Sequence, residues 1–287
     1  LCLAFDTEQI SRGITDFFDF SIRSDKAPKE NLNDKFNVFK PIKGLEGIME
    51  KRIILDEQSD NLFEGNLLYI LKMDISKIDF FIDYSKRVFK NSDFKEPFSE
   101  HGNIYGAFNA GFFGTDNLPL GFLKIKGRVI QNLRKSGGLL SNGLLVFDKN
   151  GPAVLYDIKG KDFQKTTKKF DFAIQSGPVL VKHGKPLENL NRLNFKVSSR
   201  TAAAFDSKGN FLVVLLYPLM PGSGVSIYDF ARILCRPGHR HGAGAVTAIN
   251  LDGGSSSQII LKRSGFFQRI GGLRNIPLFI FFRPVSK

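Results

Sequence analysis

The chain has 287 residues, 42% of them hydrophobic, which is enough to bury a sizeable core in one large domain or one domain with an appendage. Its formal net charge of +13 suits an anionic partner, but the basic residues (Lys35, Lys40, Lys43, Lys51, Arg52, then Lys159 to Lys169) are scattered, and no zinc-finger, RRM or basic-zipper pattern appears, which argues against nucleic acid. Two cysteines, Cys2 and Cys235, exclude a disulfide framework and a cysteine metal site, and no window is apolar for long enough to be a membrane-spanning helix.

In chain order, residues 1–65 are polar and Asn/Asp/Lys-rich with weak periodicity, and Thr15–Phe20 could open a short helix. They read as an N-terminal extension packed on a main domain of residues 66–287. The start at Leu1-Cys2, without Met, suggests a processed signal segment, hence a secreted or periplasmic protein. From Asn66 the texture changes. NLLYILKMDI and KIDFFIDYS read as two strands separated by a turn at Ser76–Lys77. Short apolar runs then alternate with Gly-rich turns. Lys149-Asn150-Gly151, His183-Gly184-Lys185 and Ser207-Lys208-Gly209-Asn210 each join two runs as a hairpin would.

One helix interrupts the strands. Ser226 is an N-cap with Asp229 three residues on, and Ile227, Phe230, Ala231 and Leu234 follow at helical spacing before Pro237 and Gly238 end it. A buried strand then delivers the chain to Asp252. The pattern predicts a mixed α/β (α+β) fold, a twisted, mostly antiparallel sheet system with few helices and with the polar loops converging at one end of the strands.

Four segments repeat one texture, an apolar strand followed by glycine and small polar residues. They are Asn109-Ala-Gly111-Phe-Phe with Pro119-Leu-Gly121, Gln175-Ser176-Gly177-Pro-Val-Leu, Ser198-Ser-Arg200-Thr-Ala, and Asn250-Leu-Asp252-Gly253-Gly254-Ser255-Ser256-Ser-Gln258. Gly/Ser loops let backbone N–H groups approach an anion, and an Arg can grip phosphate with two parallel hydrogen bonds. Other motifs fail. No P-loop is present, and Gly254-Ser-Ser-Ser-Gln258 lacks the closing Gly of a nucleophile elbow. His239 and His241 lack a third ligand at a recognisable spacing, and His101 and His183 stand alone.

These four segments, in this order, resemble the phosphodiester glycosidase family, whose mammalian member is a lysosomal uncovering enzyme and whose bacterial members include exopolysaccharide-related proteins. The family's loops read N-[GA]-G-[FM]-F, Q-[SA]-G-P-x-L, R-[ST]-A and N-L-D-G-G-[GS]-S-S, and the resemblance covers roughly residues 66–285. Ala110 and Ser255 stand where many members carry Gly, and residues 1–65 have no counterpart.

The resemblance implies hydrolysis of a sugar-1-phosphodiester, in cell-envelope or exopolysaccharide-type glycans. Asp252, Arg200 and Asn109 are then the catalytic candidates. Asp252 would act as base or nucleophile, or orient a water. Arg200 and the N–H groups of Gly253 to Ser256 would hold phosphate oxygens. Asn109 and Gln175 would bind sugar hydroxyls, with Gly111, Ser176, Gly177, Asn250 and Gln258 lining the substrate site. Asp116 is a candidate second acid. A divalent cation, Ca2+ or Mg2+, could be needed, since Asp252 and Asn250 can both donate oxygen ligands, but the sequence offers no complete ligand set. The competing expectation is a non-catalytic glycan- or envelope-binding protein with the same fold.

Overall fold

The computed structural model describes residues 38–55, 63–89, 103–135, 138–156, 161–190 and 196–285. Cys2, His101 and the Thr15–Phe20 segment lie outside them. The first strands are β1 (Lys40–Pro41), β2 (Ile48–Leu55), β3 (Asn66–Met73), β4 (Ile78–Phe89), β5 (Gly106–Asn109), β6 (Leu123–Ile125) and β7 (Arg128–Gln131). Next come β8 (Gly143–Asp148), β9 (Gly151–Tyr156), helix α1 (Lys161–Thr167), β10 (Phe172–Ser176), β11 (Val179–Lys182), β12 (Lys185–Pro186), β13 (Arg200–Asp206) and β14 (Phe211–Pro218). Helix α2 (Ile227–Cys235), β15 (Ala245–Asn250), β16 (Gln258–Arg263), β17 (Phe266–Gly271) and β18 (Ile276–Pro284) complete the set.

The strands form three sheets. An eight-stranded sheet runs β1-β2-β3-β14-β13-β15-β11-β12, and two five-stranded sheets run β7-β6-β10-β8-β9 and β17-β16-β5-β18-β4. Neighbouring strands pair antiparallel, for example β13 with β14 and with β15, and β18 with β4. The fold is therefore sheet-dominated and antiparallel with two α-helices among the described residues, as the sequence pattern predicts. Residues 38–55, placed by the sequence in an extension, supply β1 and β2, and β2 pairs along its whole length with β3.

The apolar runs are continuous because the large sheet is buried on both faces. On β3, Tyr69, Leu71 and Met73 point into the core shared with the two smaller sheets, while Leu68 and Ile70 point to the other face. On β14, Phe211, Val213 and Leu215 alternate in the same way with Leu212, Val214 and Leu216. The second face is covered by α2 through Ile227, Phe230, Ala231, Ile233 and Leu234. Each of the larger of these side chains, Ile, Leu, Val and Phe, contributes about 1.5–3 kcal/mol by leaving water. Phe80 of β4 stands where the three sheets meet, stacked on Phe147 of β8 at 5.6 Å and edge-on to Phe211 of β14 at 5.1 Å.

α2 begins as its cap predicts. Ser226 accepts the Asp229 N–H and donates its hydroxyl to the Asp229 carboxylate at 2.7 Å, which satisfies an end group the helix cannot satisfy itself. α1 has no such signal in the sequence. It docks by Phe163, edge-on to Phe122 at 4.9 Å, on the outer face of the second sheet.

Candidate active site

The register brings the four polar loops to one place. Antiparallel pairing sets the C-terminal ends of β5 and β15 beside the N-terminal ends of β13 and β16: Ala202 lies opposite Asn250, and Ile259 opposite Phe108. Backbone bonds sew the loops together. The N–H of Asp252 donates to Ala110 O at 2.9 Å, that of Leu251 to Thr201 O at 2.9 Å, and that of Asn250 to Pro178 O at 2.9 Å. Gly254 N–H reaches Ser199 O at 2.9 Å. Asn109, Arg200 and Asp252 therefore share one neighbourhood.

Asn109 is completely buried and sits at the hub. Its Oδ1 accepts from Thr201 Oγ1 at 2.9 Å and from the Gln258 N–H at 3.0 Å. Its Nδ2 donates to Asp252 O at 2.8 Å and Ala110 O at 3.4 Å. An Asn amide has two acceptor and two donor positions, so all four are taken. Asn109 fixes the backbone of Asp252; it has no donor or acceptor left for a sugar hydroxyl.

Gln175 is also a strut, not the ligand for sugar hydroxyls that the sequence suggests. Its Oε1 accepts the N–H groups of Phe122 (2.9 Å) and Arg134 (3.0 Å), and its Nε2 donates to Arg134 O (3.0 Å) and Ser141 O (2.9 Å). It straps a loop to β10 and is not arranged to hold substrate. Arg200 is also engaged with protein. Nε donates to Val225 O at 3.1 Å and Nη2 to Lys196 O at 2.7 Å, and burial lowers its pKa to about 10. It is still a cation at neutral pH, and its Nη1 lies 3.6 Å from where a Cβ on Gly253 would stand. Its charge reaches the loop, but its fork is turned to carbonyls.

The remaining candidates divide. Ser176 Oγ donates to Asn250 O at 2.7 Å, and Asn250 Nδ2 donates to Gly177 O at 3.1 Å and Leu251 O at 2.7 Å, so these three brace the loop from below. The Oδ1 of Asn250 is buried and has no hydrogen-bond partner among the described residues. Gln258 is buried and donates to Arg274 O at 2.9 Å. Gly111 is required by close packing, since a Cβ there would stand 3.0 Å from Ile174 Cδ1 and 3.1 Å from Gln175 O. Gly254 has φ +61°, a left-handed turn that favours glycine.

The expected N–H cradle is mostly closed. Gly253 N–H donates to Asp252 Oδ1 (2.9 Å), Gly254 N–H to Ser199 O (2.9 Å) and Ser256 N–H to Gly253 O (3.3 Å). The Ser255 N–H has no acceptor among the described residues, and Ser255 is exposed. Asp116 is exposed in a turn and caps it by accepting the Leu118 N–H at 3.0 Å.

Asp252 remains as the candidate reactive group. Its residue is partly accessible. Burial of the carboxyl raises its pKa above the ordinary 3.8, against the lowering effect of the Ser256 hydroxyl, the Gly253 N–H and the Arg274 charge. A carboxyl with raised proton affinity in a polar loop is suited to accept a proton. Arg274 belongs to none of the four motif segments. It lies in the loop between β17 and β18, with its guanidinium carbon 5.0 Å from the Phe113 ring centre.

Among the described residues no three His, Cys, Asp or Glu side chains are grouped as metal ligands. His239 falls in a short 3-10 turn, Gly238–Arg240, and His241 follows it. A separate groove, lined by Ile42, Leu45, Glu46, Lys72, Tyr105 and Asn210, includes none of the four loops.

The four loops thus converge at one end of an antiparallel sheet system, beside the Asp252 carboxyl. The model of the family described as phosphodiester glycosidase matches residues 102–286, more than half of the chain, and the chain belongs to this family. Among solved structures it is similar to the catalytic domain of zebrafish N-acetylglucosamine-1-phosphodiester alpha-N-acetylglucosaminidase, auto-inhibited by its pro-peptide. That match has a TM-score of 0.61 and 17% identity and covers 83% of this chain and 84% of that one. A hypothetical protein from Synechocystis matches with a TM-score of 0.55 and 18% identity over 85% of this chain and 63% of that one. At these identities the likeness is one of fold. No curated protein matches the sequence.

Proposed function

We propose that the chain is a hydrolase of sugar-1-phosphodiesters, acting outside the cytoplasm on phosphorylated or acidic glycans of the cell-envelope or exopolysaccharide type. The supporting observation is Asp252, one accessible carboxyl of raised proton affinity where the family's loops converge. Ordinary glycosidases use two carboxylates, because the leaving alcohol must be protonated. A phosphomonoester, with a second pKa of about 6, leaves without that proton. Asp252 therefore has one task. It takes a proton from a water whose oxygen bonds to the anomeric carbon. The C–O bond to phosphate breaks, and its electron pair goes to the phosphate oxygen. The products are the free sugar and a phosphomonoester.

The test is product release from a panel of sugar-1-phosphodiesters in oxygen-18 water, comparing wild type with Asp252→Asn. Turnover by wild type alone, with the label in the sugar, is the expected result. Label in the phosphate would place the break at P–O and overturn this role for Asp252. Loss of turnover on chelation, restored by Ca2+ or Mg2+, would add a cation held by oxygens of Asp252 and Asn250. Binding of panel members with no product would make the protein a glycan binder.

A further inference from the structure

A cation beside the phosphoryl oxygens stabilises the charge that gathers on the leaving phosphate, and the groups the motifs offer are turned elsewhere. Arg200 gives Nε and Nη2 to Val225 O and Lys196 O. Three of the four N–H groups from Gly253 to Ser256 donate within the loop or to Ser199.

Arg274 is placed differently. Its backbone is fixed against the Asp252 loop from two sides. Gln258 Nε2 donates to Arg274 O at 2.9 Å, and Gly272 N–H donates to Ser257 O at 2.7 Å. Gly272 lies so close that a Cβ there would stand 2.2 Å from Ser255 O. The residue is exposed. Its guanidinium covers the Phe113 ring at 5.0 Å, and its charge acts on Asp252. No hydrogen bond from this guanidinium to protein is found among the described residues. An exposed guanidinium held over an aromatic ring, with its N–H donors not spent on protein acceptors, can give two of them to the oxygens of one phosphoryl group.

We propose that Arg274, stacked on Phe113 beside Asp252, is the residue that grips the phosphoryl group of the substrate. This assignment rests on the phosphodiester function proposed above. Arg200 then acts as a positioning residue that holds the Lys196–Ser198 backbone and Val225 under the loop. Ser255, exposed in the adjoining loop, is a further donor through its N–H and hydroxyl. Phe113 lies under the guanidinium carbon at 5.0 Å and holds the cation over its ring.

The test is calorimetric binding of glucose 1-phosphate and N-acetylglucosamine 1-phosphate, each against its parent sugar. It compares wild type, Arg274→Gln, Arg274→Lys and Arg128→Gln. Arg128 is exposed on β7 opposite Ile125, towards the other end of its sheet from Ser176, so its variant removes the same charge away from the loops. Wild type is expected to prefer at least one phosphorylated sugar to its parent by about tenfold or more, the scale of a bidentate charged pair. Arg274→Gln should erase that preference and Arg274→Lys keep part of it. Arg128→Gln should leave it intact. A wild-type preference that survives in Arg274→Gln overturns the assignment and leaves the phosphodiester function standing. Equal losses in Arg274→Gln and Arg128→Gln reduce the effect to net charge and also overturn it. No preference in wild type for either phosphate overturns both.

Discussion

Asp252 carries a cost to the fold that a structural aspartate would not. Its native carboxyl binds a proton more tightly than the ordinary 3.8 of an unfolded chain, because burial outweighs Ser256, Gly253 and Arg274. Between 3.8 and the raised native value the folded state holds more protons than the unfolded one, so stability falls as pH rises through that window. Above it the ionised carboxylate weakens the fold, and protonation on acidification returns that stability. Asp252→Asn keeps an oxygen for the Gly253 N–H and has no charge to desolvate. It should therefore melt at or above the wild-type temperature at pH 7 while losing turnover, and the difference in melting temperature should shrink as pH falls towards 3.8. Calorimetric melts of both proteins across this range check the expectation. A variant several degrees less stable, with activity following the folded fraction, would make Asp252 a loop cap. Motif spelling located this residue but could not rank its neighbours. Asn, Gln and Arg can each be ligand or strut, and long-range hydrogen bonds decide which. Asn109 and Gln175 are struts because Thr201, Gln258, Arg134 and Ser141 fill their positions.

β2 shows how an element escapes a pattern. Its sequence IMEKRIIL breaks the apolar alternation with three charges in a row, yet Glu50 and Lys51 are each accommodated. Lys51 is buried and donates to Gly238 O at 2.8 Å, which ties the strand to the turn after α2. Glu50 accepts from the Tyr69 hydroxyl on β3, from Arg263 at the end of β16 and from Arg52. It thereby pins the eight-stranded sheet to a second sheet. Burial alone would raise the Glu50 pKa, but the bonds from Tyr69 and Arg263 and the charges of Arg52 and Arg263 prevail and lower it below 4.5. A lowered native value means stability that is present above 4.5 and is lost as pH falls through that native value. Glu50→Gln should cost about 1–3 kcal/mol at pH 7, because it leaves a half-buried Arg263 without its counter-charge. The deficit should close in acid, where wild type loses the same charge. Urea midpoints of the two proteins at pH 7 and near pH 3 measure this. A deficit that persists undiminished would assign the stability to hydrogen bonding or packing and not to ionisation.

At the scale of the whole molecule, sheets were legible where burial on two faces or a turn's backbone left a mark in the sequence. FLVVLLY on β14 is apolar throughout because both its faces are covered, and the hairpin at His183-Gly184 is marked by left-handed residues, φ 51° and 72°. α1 left little trace, being seven residues long with Phe163 as its docking side chain. The partition into three sheets was not legible either, since FAIQS and VLVK are nearly contiguous yet belong to different sheets. Net charge was legible from the start, and it has a consequence that single residues do not. A chain carrying +13 presents a positive field to an anionic glycan before any contact forms. That attraction is screened over about 10 Å at 0.1 M salt and about 3 Å at 1 M. For a phosphodiester substrate kcat/KM should therefore fall several-fold between 0.05 and 0.5 M NaCl, with the loss in KM and with kcat nearly constant. Arg274, close to Asp252 and stacked on Phe113, acts at contact distance. Its removal should lower kcat/KM at both salt concentrations while leaving the slope against salt close to that of wild type. If Arg274→Gln abolished the salt dependence, one side chain and not the charge of the whole molecule would draw the substrate in. Steady-state kinetics of the two proteins at four or five salt concentrations separate these cases, because a contact shifts the line and a long-range field sets its slope.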